Sequence, residues 1–154
     1  MTFAAIVVAG YVAGSCPWGY WLPLLFRADD IPETYVPVMA YVSETQPGVS
    51  RGPHEHVEQA DYFCFIGPGN FKMYLWDNRP AAATYRVKET KVVGADAPFA
   101  LIVPPGVVHA YKNVSPGLGV VVNCANRLYK GWGRAEPVDE IRHEEHADSL
   151  YRLD

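Results

Sequence analysis

The first residues whose types and spacing could do chemistry lie in the segment 48–56, which reads Gly-Val-Ser-Arg-Gly-Pro-His-Glu-His. Residues i and i+2 of a β-strand point to the same face, so we expect His54 and His56 to share one face and Glu55 to point the other way. Asp61 follows five residues after His56 and can bring a carboxylate to the same place. This spacing predicts two imidazoles beside one carboxylate.

A second segment, residues 104–113, adds one more imidazole. It reads Pro-Pro-Gly-Val-Val-His-Ala-Tyr-Lys-Asn, and its Pro-Pro-Gly turn is expected to lead into a strand that presents His109. The two segments lie about fifty residues apart in the chain, so only the fold can bring them together.

Two chemistries suit such a site, and the residue types leave both open. Three imidazoles and one carboxylate can bind a divalent transition metal and leave positions open for a substrate. Without a metal, a histidine held by a carboxylate titrates near neutral pH and can take a proton from a carbon next to a carbonyl. The metal interpretation uses the ligands His54, His56, Asp61 and His109.

The elements that must position these residues are predicted to be β-strands. Turn signals recur every 8 to 12 residues, which is typical of a sandwich or a small barrel. Residues 67–70, Gly-Pro-Gly-Asn, predict a hairpin loop between the strands on either side. The polar tail 136–154 is expected to form one short helix around 144–150. The predicted strands are 36–43, 62–66, 71–76, 84–93, 99–103, 107–113 and 118–123.

The composition excludes several classes of protein. With 49% hydrophobic and 19% charged residues, the chain is not intrinsically disordered. Thirteen Lys and Arg against seventeen Asp and Glu form no basic stripe, so nucleic acid is not an expected partner. The distant Cys16, Cys64 and Cys124 predict neither a disulfide framework nor a thiolate zinc site, and they favour a reducing, cytoplasmic location.

Residues 4–26 are apolar and carry no charge. Their length would suit a membrane span, but Pro17 and Pro23 interrupt the second half. No Lys or Arg precedes Arg27, whereas a signal peptide requires a basic start. We therefore favour buried strands with a corner at 14–19, and we expect no stable membrane insertion.

The two histidine segments resemble the two motifs of the cupin superfamily, with Asp61 where the family usually has Glu. The resemblance implies an all-β cupin jelly roll, a double-stranded β barrel, with a short polar C-terminal tail. We expect a single domain over 1–154, divided into N-terminal strands at 1–35, the barrel at 36–125 and the tail at 126–154. The matching positions are Gly48, His54, His56 and Asp61 in the first motif and Pro104, Gly106, His109 and Asn113 in the second.

Further motifs resemble the dTDP-4-dehydrorhamnose 3,5-epimerase family. They are Arg-Gly-Pro-His at 51–54 with Gln59 after it, Leu-Trp-Asp-Asn-Arg at 75–79, the run 103–111 and the acidic segment 139–145. Related sugar-nucleotide 3,4-ketoisomerases share Arg-Gly-x-His-x-His. Both families isomerise 4-keto sugars carried on dTDP without a metal. The resemblance therefore implies an isomerase with a nucleotide-sugar substrate and no cofactor.

The resemblance also implies roles for individual residues. His54 is expected to be the base, with Glu145 orienting it. The family's acid Tyr corresponds to Asn123, so Tyr111, or Tyr41 in its place, is expected to be the acid. The expected substrate-binding residues are Arg51, His56, Gln59, Arg79, His109 and Tyr129.

The sequence thus predicts a cytoplasmic enzyme that epimerises a 4-keto sugar on dTDP, as in dTDP-rhamnose biosynthesis. A homodimer is expected because apolar strands such as 35–41 exceed what a small barrel can bury. Two alternatives remain open. One is a metal-dependent cupin oxygenase or lyase with a three-histidine site, and the other is a sugar-binding cupin without catalytic activity.

Overall fold

Nine β-strands and one short 3₁₀ helix, Trp132–Arg134, make up the regular structure of the described residues. The structure is a computed structural model that describes residues 35–146 and 148–154. The predictions for 4–26 and for N-terminal strands therefore lie outside the described residues. The strands are β1 (Met39–Thr45), β2 (Ser50–Glu55), β3 (Asp61–Phe65), β4 (Asn70–Asp77), β5 (Lys88–Gly94), β6 (Phe99–Val103), β7 (Val107–Asn113), β8 (Gly119–Ala125) and β9 (Ile141–Arg142).

The strands form two antiparallel sheets. The first sheet has the order β1-β8-β3-β6, and the second has the order β5-β4-β7-β2-β9. This arrangement confirms the predicted all-β cupin jelly roll. No helix within the described residues is long and apolar enough to cross a membrane.

Aromatic side chains from both sheets fill the space between them. Phe65 on β3 and Phe71 on β4 are 1% and 0% exposed, with ring centroids 5.6 Å apart. Tyr111 on β7 packs edge-on against both rings. Phe63 continues the cluster towards His109, at a centroid distance of 5.4 Å. Burial of large aromatic rings contributes strongly to core stability. This cluster therefore supports the histidine site, which it contacts through Phe63 and His109.

The predicted hairpin between 62–66 and 71–76 is wrong. Strand β3 pairs with β6 and β8 in the first sheet, whereas β4 pairs with β5 and β7 in the second. The loop between them crosses from one sheet to the other. At Gly69, which has φ +87°, a Cβ would lie 2.7 Å from Gly119 Cα, so the loop passes directly against the start of β8.

The predicted helix around 144–150 is also absent from the described residues of the tail, which form turns instead. Strand β9 pairs with β2, and the residues after it run over the outer face of the second sheet. That face carries apolar rings, Tyr74 and Trp76, which Tyr151 and Leu153 cover. The tail is extended here, and its apolar residues Tyr151 and Leu153 lie on these rings.

Candidate active site

Asp61 lies at the centre of a histidine cluster, where the end of β2 meets β3 and β7. Its Oδ2 is 3.1 Å from His56 Nε2 and 3.3 Å from His109 Nε2, and the side chain is 1% exposed. The ring centroids of His54 and His109 are 4.4 Å apart. The structure therefore brings together the two histidine segments that the sequence places about fifty residues apart.

A close approach of β2 to β7 brings these imidazoles together. His54 pairs in register with His109, after an irregularity between Arg51 and His54. Within that irregularity Gly52 has φ +75°, and a Cβ there would lie 2.5 Å from the His109 carbonyl oxygen. Only glycine fits such a contact and such a backbone conformation.

His54 is a neutral imidazole at neutral pH. Burial, together with the neighbouring His109 and His56, lowers its pKa to about 2. Its side chain remains 17% exposed, and its Nδ1 lies 3.7 Å from Glu140 Oε1. A neutral ring can accept a proton, and the nearby carboxylate favours the imidazolium that would then form.

His56 has the opposite electrostatic environment. Its Nδ1 bonds to the Asp139 carbonyl oxygen, and its Nε2 faces Asp61. Burial alone would lower the pKa of His56, but the bonds to Asp61 and Asp139 outweigh it and the pKa is raised. Burial likewise opposes ionisation of Asp61, yet the adjacent imidazoles of His109 and His56 hold its pKa well below the usual range. The site thus joins a neutral His54 to an anionic Asp61 and to a His56 whose two ring nitrogens both face oxygen acceptors, which favours its protonated form.

Asp139 anchors the tail beside this site. Its carboxylate accepts hydrogen bonds from three successive backbone N–H groups, those of Val57 (2.9 Å), Glu58 (3.0 Å) and Gln59 (2.7 Å). Charge-assisted bonds of this kind are stronger than neutral ones. This anchoring holds the next residue, Glu140, against His54.

Tyr41 places a phenol in the same cavity. Tyr41 on β1 pairs in register with Asn123 on β8, and directly paired residues of neighbouring strands share a face. Asn123 Nδ2 donates to Tyr41 Oη at 2.8 Å and to Asp61 Oδ1 at 2.8 Å. Burial raises the pKa of Tyr41 to about 12, so the phenol stays protonated at neutral pH.

These side chains border a cavity of about 400 Å³, which is within the size range of small-molecule sites. His109 and Asp61 lie behind the lining, next to His54 and His56. The lining includes Tyr41, His54, His56, Gln59, Tyr129 and Glu140.

Two predicted substrate-binding arginines lie elsewhere. Arg51 is exposed and donates from Nη2 to the Glu44 carbonyl oxygen at 3.2 Å, because it lies towards the start of β2, away from the histidines. Arg79 forms a bidentate pair with Asp77, with bonds of 2.8 and 2.7 Å. This pair neutralises the charge of Arg79. Arg79 also borders a different cavity from the one that the histidines line.

The place predicted for Glu145 is taken by Glu140. The pairing of β9 with β2 sets which tail residue lies beside His54, and His54 is opposite Arg142 in that pairing. Glu140 immediately precedes β9 and reaches the imidazole. Glu145 follows in the turn region and is exposed.

Tyr111 is also away from the cavity. It is 5% exposed and packs among the rings of Phe63, Phe65 and Phe71. Burial raises its pKa, as expected for a core phenol. Of the two tyrosines that the sequence offers as acids, the cavity is bordered by Tyr41.

Five charged residues that border the cavity have no individual role predicted from the sequence: Arg127, Lys130, Glu136, Asp139 and Glu140. The last two belong to the acidic segment 139–145, from which the sequence analysis selects Glu145, whereas Glu140 is the carboxylate that lies beside His54. The two basic residues lie in the loop after β8, where no pattern in the sequence singles them out.

The four residues of the metal interpretation fit a metal. The donor atoms of His54, His56, Asp61 and His109 all lie within 4.8 Å of one another. His109 Nδ1 lies 3.1 Å from the Val107 carbonyl oxygen, and its buried Nε2 faces Asp61 Oδ2 at 3.3 Å without a hydrogen bond of regular geometry among the described residues. Imidazoles that bind metals commonly donate their other nitrogen in this way. These residues could hold a divalent transition metal.

No protein-family model matches the chain. A probable low-salt glycan biosynthesis epimerase, Agl13, of Haloferax volcanii is 29% identical over 106 residues, which cover 68% of this chain and 67% of that protein. The spore coat polysaccharide biosynthesis protein SpsL of Bacillus subtilis is 33% identical over 70 residues, which cover 46% of each chain. The chain thus spans two thirds of one relative and under half of the other.

Solved structures share the fold. A dTDP sugar isomerase from Desulfovibrio desulfuricans superposes with a TM-score of 0.66 at 20% identity, over 80% of this chain and 75% of that one. A dTDP-6-deoxy-D-glucose-3,5-epimerase from Legionella pneumophila gives 0.60 at 18% identity, over 83% and 62%. The resemblance predicted from the sequence is confirmed: the fold is the cupin jelly roll, and the relatives and structural neighbours include sugar epimerases and isomerases.

Proposed function

We propose that this chain is an isomerase that acts on a 4-keto sugar carried on dTDP, by taking a proton from the carbon next to the ketone. The observation that carries the proposal is a neutral imidazole, His54, and a protonated phenol, Tyr41, that border one cavity. The names of its relatives, which include sugar epimerases and a sugar isomerase, support the same reaction class.

His54 is the base of the proposed reaction. It takes the proton from the sugar carbon, and the electrons of that C–H bond form an enolate with the ketone oxygen. Glu140, 3.7 Å from the imidazole, stabilises the imidazolium. His56, which lines the same cavity and whose pKa is raised by Asp61 and Asp139, favours the negative charge of the enolate when it is protonated, because a charge already in place needs no reorganisation.

Tyr41 is the acid. Its hydroxyl accepts a hydrogen bond from Asn123 and keeps its own proton for the substrate. It gives that proton to the carbon from the opposite face, which inverts the carbon, and solvent restores the phenol. Proton removal and return need no cofactor, so we propose that the reaction runs without one.

We further propose a cytoplasmic homodimer that takes part in dTDP-rhamnose biosynthesis. The reducing location agrees with two cysteines, Cys64 and Cys124, that are free thiols in the described residues. Light scattering at micromolar concentration tests the dimer, and a monomer would contradict it.

Hydrogen exchange with solvent tests the reaction. Each dTDP-linked 4-keto sugar is incubated with protein in D₂O, and deuterium in the sugar ring is measured by mass spectrometry. We expect incorporation with wild type and with the control His146→Gln, which changes an exposed tail histidine. We expect none with His54→Gln. Binding of the sugars without exchange by wild type would overturn the proposal in favour of a sugar-binding protein.

The second candidate is a metal-dependent cupin enzyme, an oxygenase or a lyase. It is favoured by the convergence of four donor atoms within 4.8 Å. Asp61 reaches the centre of the cluster despite its short side chain, and the Arg51 guanidinium is turned to the Glu44 carbonyl oxygen. Elemental analysis separates the candidates: about one transition metal per chain, lost in His56→Ala, would favour the metal enzyme.

A further inference from the structure

A second cavity, of about 290 Å³, borders on the same loop as the first. The two cavities share the residues Arg127, Leu128, Gly131 and Glu136, which follow β8. The first cavity ends at the histidines, whereas the second is bordered by Trp132. A ligand that is longer than a sugar can therefore occupy the first cavity with one end and, by extending along the shared residues, the second cavity with the other.

Trp132 is 87% exposed, which is unusual for a side chain that gains so much from burial. An exposed indole offers a free face to a flat ring, and every nucleobase can stack on such a face. Because Trp132 borders the second cavity, a flat ring bound in that cavity can stack on the indole.

The cations of this loop differ in how far they are already paired. Arg127 forms ion pairs with Glu58 and Glu136. Lys130 borders the first cavity, where its ammonium lies 5.8 Å from the centre of the Tyr129 ring, and no ion pair to it is found among the described residues. Lys130 also holds a left-handed conformation, φ 60°, which residues other than glycine rarely adopt. Lys130 borders the first cavity and is next in sequence to Gly131, which borders both, so a cation there is suited to a diphosphate, which links a sugar to a nucleoside.

We propose that the loop after β8 binds the nucleotide part of the substrate, with the base stacked on Trp132 in the second cavity and the diphosphate held by Lys130. This inference rests on the proposed function for the identity of the ligand, a pyrimidine nucleoside diphosphate that carries the sugar. It assigns the substrate's two ends to two cavities and places the diphosphate at the boundary.

The test uses dTDP alone, without a sugar, in calorimetric titrations of the 154-residue chain. Trp132→Ala is expected to weaken binding about tenfold or more, the usual scale of one base–aromatic stack, while Trp132→Phe retains most of it. Lys130→Ala is expected to weaken binding of dTDP and to leave binding of thymidine unchanged. Leu150→Ala and Lys112→Ala, which alter an exposed leucine and a lysine outside both cavities, are the matched controls.

Failure of this proposal is distinguishable from failure of the proposed function. If wild type catalyses deuterium exchange but Trp132→Ala and Lys130→Ala bind dTDP as wild type does, the nucleotide lies elsewhere and the proposal is overturned. Absence of dTDP binding by wild type would overturn it as well. If dTDP binding depends on both residues while no sugar exchanges, the nucleotide site stands and the proposed reaction falls.

Discussion

Two histidine–carboxylate pairs lie beside the end of β2, one between the two sheets and one on the outer side of the second sheet. On the inner face His56 Nε2 is 3.1 Å from Asp61 Oδ2, and on the outer face His143 Nε2 is 2.9 Å from Glu55 Oε1. The two carboxylates are 1% and 6% exposed. By residue type, distance and burial, the two pairs are nearly the same.

They differ in what surrounds them. The inner pair adjoins a cavity of about 400 Å³ and the neutral His54. The outer pair is closed off, because Asn78 donates to Glu55 at 2.8 Å and the Tyr151 ring lies 4.6 Å from the His143 ring. The inner pair can act on a substrate, whereas the outer pair fastens the tail to the sheet. The two pairs therefore differ in role because only the inner pair is accessible to a substrate, and not because their residue types differ.

The largest expected effect is that of Asp61→Asn. Asp61 is bonded or adjacent to His56, His109, Gln59 and Asn123, so its neutralisation removes the buried carboxylate that favours protonated His56 and that accepts bonds from the two amides. We expect the free energy of unfolding to fall by about 3–5 kcal/mol, measured in urea, and deuterium exchange to be lost. Wild-type stability in this variant would show that the inner pair is not charged.

The second effect concerns pH and the neutral His54. In the unfolded chain His54 takes up a proton near its ordinary pKa of about 6.5, but the folded protein resists protonation until far lower pH. The folded state therefore loses stability as pH falls below about 6.5, by about 2 kcal/mol at pH 5. We expect His54→Gln to lack this loss when unfolding free energies at pH 7 and pH 5 are compared.

The raised pKa of His56 acts in the opposite direction, since its contribution is present at low pH and is lost as pH rises through the raised value. Wild type and His54→Gln both keep His56 with its bonds to Asp61 and Asp139, so the difference between the two slopes reports mainly on His54. His146→Gln is the control and should keep the wild-type slope. An equal slope in His54→Gln and wild type would contradict a neutral His54.

The smallest effect is expected on the outer face. Glu55→Gln keeps the shape and an acceptor for Asn78 but replaces charge-assisted bonds by neutral ones. We expect a loss of about 1 kcal/mol in unfolding free energy and an unchanged rate of deuterium exchange. A large loss of deuterium exchange would show that the outer pair supports the reaction, and it would contradict the distinction drawn between the two pairs.

The sequence predicted the fold well where the pattern was local. Strands β6 and β7 have the predicted bounds, Phe99–Val103 and Val107–Asn113. The hairpin after β3 was wrong because the loop's glycines reveal a turn but not which strands pair after it. Pairing in a jelly roll is set by contacts distant in the chain, such as Phe63 with Leu101.

The site was predictable as far as the motifs reach. His54, His56, Asp61 and His109 come together because each motif belongs to a strand that faces the interior. Depth in the barrel and the path of the tail cannot be deduced from spacing. The period of two places both Tyr111 and Tyr41 on inner faces, but only the structure shows that Tyr111 lies among the core rings.

The tail's contribution depends on the register of a two-residue strand. Ile141 and Arg142 pair with Glu55 and His54, and this short contact decides that Glu140 rather than Glu145 reaches the imidazole. In a segment with four carboxylates within seven residues, the charge pattern alone could not make that choice.

The division of work between His54 and Tyr41 is tested most directly by measuring deuterium incorporation and inversion together. With Tyr41→Phe, we expect recovered 4-keto sugar to gain deuterium with its configuration retained, since His54 removes the proton and returns a deuteron to the same face. With His54→Gln we expect neither exchange nor inversion, and with the core variant Tyr111→Phe both should proceed as in wild type. Inversion at the wild-type rate by Tyr41→Phe, or exchange by His54→Gln, would contradict the account.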